Sequence, residues 1–328
     1  MWGERAPDRT QEVAVGKYRV VTYSFGSGRD VVLLLNGGPG LPCDYLREAH
    51  SFLAEHGFRV VTFDQLGTGK SDRPTDESLW TIARYVEEVE TVRTALDLGS
   101  VHLLGHSWGG WLAIEYALHH GDKLKTLLLE DTVADMPHLV SELERLRGAL
   151  GSETIAMMQR HEAQGTVNHP EYMAAITLLN YRHVCRLEEW PAPVKRSLDD
   201  WNMGPYVTMQ GPNEFLYTGN LKDWNRVPDL HRITVPTFIT CGQHDELTPA
   251  CALRMKQNLP NAELKVFPIP RTCRSTRSRR PTTPPCSTSS AGIGGEPAWP
   301  RCRPPRARFF PRTRDDQAGG GSARCHSR

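Results

Sequence analysis

No apolar run in this 328-residue chain approaches the roughly 18 residues that a membrane span needs. The longest, Val31–Leu35, has the length of a buried strand. The N-terminus, Met-Trp-Gly-Glu-Arg-Ala-Pro-Asp, lacks the apolar stretch behind a basic start that marks a secretory signal. None of the eight cysteines stands in a C-x-x-C pair, and Cys43, Cys185, Cys241 and Cys251 are isolated. Neither a zinc ribbon nor a disulfide framework is therefore expected. The net charge of +1 gives no sign of a polyanionic partner. These absences lead to the expectation of a cytoplasmic protein with reduced thiols, no membrane contact, no nucleic acid, no cofactor and no metal.

Lysine, leucine, valine and methionine are all missing from residues 271–328. That stretch instead holds 13 arginines against three acids (Glu296, Asp315 and Asp316), and four of the eight cysteines. The first 270 residues hold 26 basic and 35 acidic residues, so the near-neutral total hides a strongly basic end on an acidic body. A segment this poor in aliphatics cannot offset its ordering entropy by burial, and disorder is expected. Arg, Pro, Ser, Thr and Cys without Lys is also what a GC-rich gene yields when read out of frame. The break falls within a folding pattern rather than at a domain boundary, and that favours the out-of-frame reading over an arginine-rich arm for nucleic acid.

In the first 270 residues, short apolar runs alternate with helical periodicity. Strands are expected at Tyr18–Phe25, Asp30–Asn36, Arg59–Asp64, Val101–His106, Leu124–Glu130, Thr237–Cys241 and Glu263–Phe267. Helices are expected at Tyr45–His56, Ile82–Leu98, Trp108–His119 and Ala250–Asn258. Near-continuously apolar strands alternating with helices imply an α/β fold: a mostly parallel sheet covered on both faces, with an antiparallel edge at its start. Residues 133–229 read differently. They are rich in Trp, Met, His and Glu, and read as helical hairpins broken at Pro137, Pro170, Pro191, Pro193, Pro205 and Pro212. The expected organisation is a core over 1–132, a helical cap over 133–229, the rest of the core over 230–270 and the tail over 271–328.

Four motifs carry chemical meaning. Val101-His-Leu-Leu-Gly-His-Ser-Trp-Gly-Gly110 is a G-x-S-x-G elbow between a strand and a helix, which makes Ser107 the candidate nucleophile. The serine sits on a sharp turn, so Gly105 and Gly109 must lack side chains. Asn36-Gly-Gly-Pro-Gly40 follows a strand and can turn backbone N–H groups toward a cavity; with the Trp108 N–H it would form an oxyanion hole. In Pro236-Thr-Phe-Ile-Thr-Cys-Gly-Gln-His-Asp245-Glu-Leu-Thr-Pro249, a strand delivers Asp245 to the C-terminal rim of the sheet. The order Ser then Asp suits a hydrolase; the lesser alternative is that Asp245 caps the helix starting near Thr248 or Pro249. Phe63-Asp-Gln-Leu-Gly-Thr-Gly-Lys-Ser71 lacks the spacing of a phosphate loop and is expected to be a structural turn.

N-G-G-P-G, D-Q-x-G-x-G-x-S, G-H-S-W-G-G and G-x-x-D-x-x-T-P, in this order, resemble the proline iminopeptidase family of the α/β-hydrolase superfamily. Gly211-Pro-Asn-Glu-Phe215 followed by Gly219-Asn-Leu-Lys-Asp-Trp224 is similar to its tricorn-interacting aminopeptidase and amino-acid amidase branch. The resemblance covers roughly residues 15–268. It implies release of an N-terminal residue, often proline, from short peptides or amides. It implies Ser107 as nucleophile, Asp245 as the acid that orients the base, and the Gly38 and Trp108 backbones as oxyanion hole. It also implies Glu214 and Glu246 as the carboxylates that hold the substrate's α-amino group. An esterase or amidase of the same fold, and a non-catalytic binder of peptide termini or polyanions, are the alternatives. The sequence gives no indication of an oligomeric state.

One departure stands out. The family's histidine would fall near Arg271 or Thr272, yet no histidine lies between His244 and His326. A serine hydroxyl is a poor nucleophile without a base. His106 is expected to pack away from the oxyanion side, and His244 to lie on the face opposite Asp245. The chain as written is therefore expected to be impaired.

Overall fold

The structure is a computed structural model that describes residues 5–268. The tail over 271–328 and the histidine slot near Thr272 lie outside the described residues. Eight strands form one sheet: β1 (Arg9–Val15), β2 (Tyr18–Phe25), β3 (Asp30–Leu35), β4 (Phe58–Asp64), β5 (Val101–His106), β6 (Leu124–Glu130), β7 (Thr237–Gly242) and β8 (Ala262–Phe267). Their order is β1-β2-β4-β3-β5-β6-β7-β8. The pairs β1–β2 and β2–β4 are antiparallel, and all later pairs are parallel.

β3 and β5 stand at the centre and are buried on both faces. Val32, Leu33, Leu34, Leu35, Val101 and Leu103 are all fully buried. Each such side chain contributes about 1.5–3 kcal/mol on leaving water. The helices that cover the sheet include α1 (Asp44–His50), α2 (Ile82–Ala95) and α3 (Trp108–His120). α3 is buried without interruption from Trp108 to Ala117, because it packs against the middle of the sheet on one side and other helices on the other. The periodic stretch around α2 stops short of Leu98: the helix ends at Ala95, and Asp97 takes a left-handed backbone.

β1 escapes a reading by pattern. Its residues Arg-Thr-Gln-Glu-Val-Ala-Val are mostly exposed, and only Val13 is buried, since it is an edge strand paired on one side. Between β6 and β7 the chain runs through α4 (Met136–Gly148), α5 (Ser152–Gln164), α6 (Pro170–Leu179), a π turn at Asn180–Val184, α7 (Ala192–Asp199) and α8 (Met203–Met209). The prolines there do not break helices. Pro137, Pro170, Pro193 and Pro205 stand in the first turns of α4, α6, α7 and α8, where a missing N–H costs no helical bond. The last helix, α9 (Pro249–Asn258), returns the chain to β8.

Candidate active site

β5 ends one residue before Ser107, and α3 begins one residue after it. Ser107 has φ 54° and ψ −124°, a strained backbone for a residue with a side chain. Several bonds impose that bend. The Ser107 N–H donates to the carbonyls of Glu130 and Asp131 at 3.1 Å each. The Ser107 carbonyl accepts from the Gly110 N–H and the Thr132 hydroxyl, both at 2.8 Å. A methyl on Gly105 would overlap the Gly109 carbonyl, and one on Gly109 would overlap the Leu35 carbonyl. The glycines thus let α3 touch β3 and β5 backbone to backbone.

The Trp108 ring is fully buried, and its Nε1–H donates to Gln65 Oε1 at 3.0 Å. Gln65 belongs to the 63–71 motif, which proves to be a brace. Asp64 accepts from the Tyr23 hydroxyl at 2.8 Å, the Lys70 N–H at 3.0 Å and the Cys43 N–H at 3.2 Å. The Ser71 hydroxyl donates to the Asp64 carbonyl at 2.5 Å. The motif supports the nucleophile's neighbour.

Gly38, Ser107, Glu214, Asp245 and Glu246 line one cavity of about 370 Å³. Sequence reading named all five. The Trp108 backbone opens α3 beside them, where a first-turn N–H has no helical acceptor. The cavity also holds residues that no motif marked: Tyr45, Asp131, Asn180 and Trp190. The Tyr45 hydroxyl accepts the Gly37 N–H at 2.6 Å and shares a hydrogen bond with His106 Nδ1, 2.7 Å away. The His106 ring therefore borders the cavity rather than packing away from it. Burial holds its pKa below the usual value, against the pull of Asp131 and Glu130. His244 is exposed and is not among the lining residues; its carbonyl accepts from His183 Nδ1 at 2.8 Å.

Four carboxyl groups crowd this cavity, and among the described residues no lysine or arginine lines it. Asp131 accepts the Gly242 N–H at 2.9 Å, and Asp245 accepts the Leu247 N–H at 2.8 Å. The two acids interact: each is raised by burial, and the charge of one adds to the pressure on the other. Burial, then the charge of Asp131, lifts Asp245 well above the usual carboxylate range. Burial, then the charges of Asp245, Glu214 and Asp131, does the same to Glu246. Glu214 is also raised by burial, although Gln210 at 2.8 Å and the Tyr206 hydroxyl at 3.0 Å donate to it. Three buried polar atoms on the lining residues lack any hydrogen-bond partner: Glu246 Oε2, Asn180 Oδ1 and Trp190 Nε1. Two are acceptors that call for N–H donors, and one is a donor that calls for an acceptor.

This crowding has a measurable cost. A carboxyl whose folded pKa lies above its unfolded value keeps its proton longer when folded. Its contribution is most favourable below the unfolded pKa and is lost as pH rises through the folded pKa. Glu246→Gln should therefore raise stability clearly at pH 8 and much less at pH 5. Urea unfolding at both pH values measures it, and equal gains at both would show that Glu246 is not under charge pressure.

The chain matches the family model described as alpha/beta hydrolase fold over residues 30–269. It is 38% identical to a proline iminopeptidase of Saccharolobus solfataricus over 244 residues, covering 74% of this chain and 78% of the relative. Among solved structures, the proline iminopeptidase of Mycobacterium smegmatis superposes with a TM-score of 0.73 at 32% identity, covering 79% of this chain and 90% of the other. The structure of VinJ superposes with a TM-score of 0.76 at 34% identity, covering 80% and 91%.

Proposed function

The chain belongs to the proline iminopeptidase family of the α/β hydrolases, and we propose that its cavity binds the free amino end of short peptides or amino-acid amides for acyl transfer to Ser107. The observation that carries this reading is the acidic cavity with unpaired acceptors on Glu246 and Asn180. An ammonium group supplies the charge and the N–H donors that such a pocket lacks. Trp190 Nε1 then offers its N–H to a carbonyl on the leaving side. Apolar walls from Val184, Leu187, Val194 and Leu198 suit the remainder of the substrate. Holding one end at carboxylates places the first carbonyl at Ser107 and excludes internal peptide bonds. The helices between β6 and β7 act as the cap that selects substrate.

In the reaction, the Ser107 oxygen adds to that carbonyl, the amine leaves, and water later releases the acyl group. The oxyanion would form at the Gly38 and Trp108 N–H groups. Gly37 cannot serve, because its N–H already donates to Tyr45. Asp245 would orient an imidazole base, and the sequence offers none between His244 and His326. Binding should therefore survive where turnover does not. The frame-shifted character of residues 271–328 accounts for the missing base.

Calorimetry tests the binding half of the reading. Prolinamide should bind about 100-fold more tightly than N-acetylprolinamide, the worth of a charge-assisted contact. Glu214→Gln should reduce that preference. Equal binding of the two amides would exclude an amine-directed site.

A further inference from the structure

The turn between α5 and α6 carries a side-chain cluster separate from the cavity. His161 lies in the last turn of α5, His169 caps α6, and Glu171 sits in the first turn of α6. One ligand atom from each lies within 4.8 Å of the other two. We propose that His161, His169 and Glu171 form a binding site for a divalent transition-metal ion of the zinc class.

The geometry around His161 carries the argument. The Thr166 hydroxyl lies 2.7 Å from His161 Nδ1, and the other ring nitrogen, Nε2, faces Glu171 Oε2 at 3.4 Å. A cation, either a proton held by the pair or a metal ion, joins an imidazole nitrogen to a carboxylate at such a distance. In a tetrahedral site with bonds of about 2.0–2.1 Å, neighbouring ligand atoms lie about 3.4 Å apart. The observed separation equals that edge. Thr166 also stands where the outer partner of a metal-bound imidazole stands, against the ring nitrogen turned away from the carboxylate. The edge of Tyr172 supports the same ring, with centroids 6.3 Å apart.

His169 supplies the second imidazole. Its ring stacks on that of His161 with centroids 4.6 Å apart and an 18° tilt. It is exposed, and its Nδ1 holds only a long 3.3 Å bond from the Glu171 N–H, so the ring is free to turn out of the stack and aim a nitrogen at the same ion. Two imidazoles with one carboxylate favour zinc, copper, nickel or cobalt over magnesium or calcium. Arg160 is the rival cation. It reaches the same Glu171 oxygen at 3.4 Å from an exposed position, and a metal would take that oxygen from it. Bound metal would clip α5 to α6 across the 165–168 turn, far in chemistry from anything at Ser107.

The test uses the untagged full chain with its accessible thiols alkylated, because Cys185 and the four cysteines beyond residue 270 are competing soft ligands. Cobalt(II) is titrated and followed by its visible absorption, then displaced with zinc(II). One equivalent of cobalt should bind with a nitrogen–oxygen spectrum and leave on addition of zinc. His169→Ala and Glu171→Gln, both at exposed positions, should weaken binding at least about tenfold, and Arg160→Gln should tighten it. A proton in place of the metal would give no cobalt spectrum. That result at millimolar cobalt, or wild-type titrations by both the His169 and Glu171 variants, would overturn the proposal.

Discussion

A prolyl anilide should be cleaved by the full chain about a millionfold more slowly than by the same chain carrying a C-terminal segment that returns a histidine to Asp245. The size follows from what a serine hydrolase loses with its histidine alone. The proton of the Ser107 hydroxyl then lacks an imidazole acceptor, while Asp245, raised by burial and by Asp131, has no imidazole to orient among the described residues. What remains is the oxyanion hole and substrate positioning, together worth about 10³–10⁴ over water. Two companion measurements identify the cause of the deficit. Ser107→Ala in the full chain should change the rate little, because the nucleophile is already unassisted. Imidazole added to the buffer should raise the rate in proportion to its concentration. If the full chain matches the repaired one, a group inside the chain serves as base, and His106, bordering the same cavity, is the first to examine.

The second large effect lies at the elbow. Gly109→Ala should cost more than about 4 kcal/mol or prevent folding outright. The added methyl would overlap the carbonyl of Leu35 and crowd that of Asn36. Both obstacles are main chain, so no flexible side chain can yield. Relief would require α3 to move away from β3, in a helix buried from Trp108 to Ala117. Gly148→Ala, at the end of α4 with open space around the new methyl, should be neutral or gain up to about 1 kcal/mol. Urea unfolding of the two variants side by side makes the comparison. A wild-type midpoint for Gly109→Ala would mean that the helix does not approach the strand as described.

The parts of the molecule legible from sequence are those with a local cause. Ser107 could be read because its bend needs glycine two residues to either side, and that need is written within five residues. The central strands could be read because β3 and β5 are buried on both faces and therefore carry apolar runs, Val31–Leu35 in β3 and Leu103–Leu104 in β5. Asp131 could not be read in this way. It follows β6 with no motif, takes φ 40°, and gains meaning only when β7 brings Asp245 against it. Tyr45, Asn180 and Trp190 sit on helices or turns whose composition resembles any half-buried surface, and it is the tertiary fold that points them into one cavity. His106 was misplaced for a related reason: its neighbour in space, Tyr45, lies 61 positions away in sequence. β1 was missed because an edge strand needs few apolar residues.

The two glutamates that would grip an amine come from different stretches of chain. Glu214 lies in the insertion after α8, whereas Glu246 lies in the core just beyond β7. Neither stretch owns the binding site. Burial and the charge of Glu214 favour the protonated form of Glu246 when no guest is present, and a cationic guest would favour the ionised form of both. Such a guest would then be as much a fastener as a substrate, joining the insertion to the core through one ammonium group.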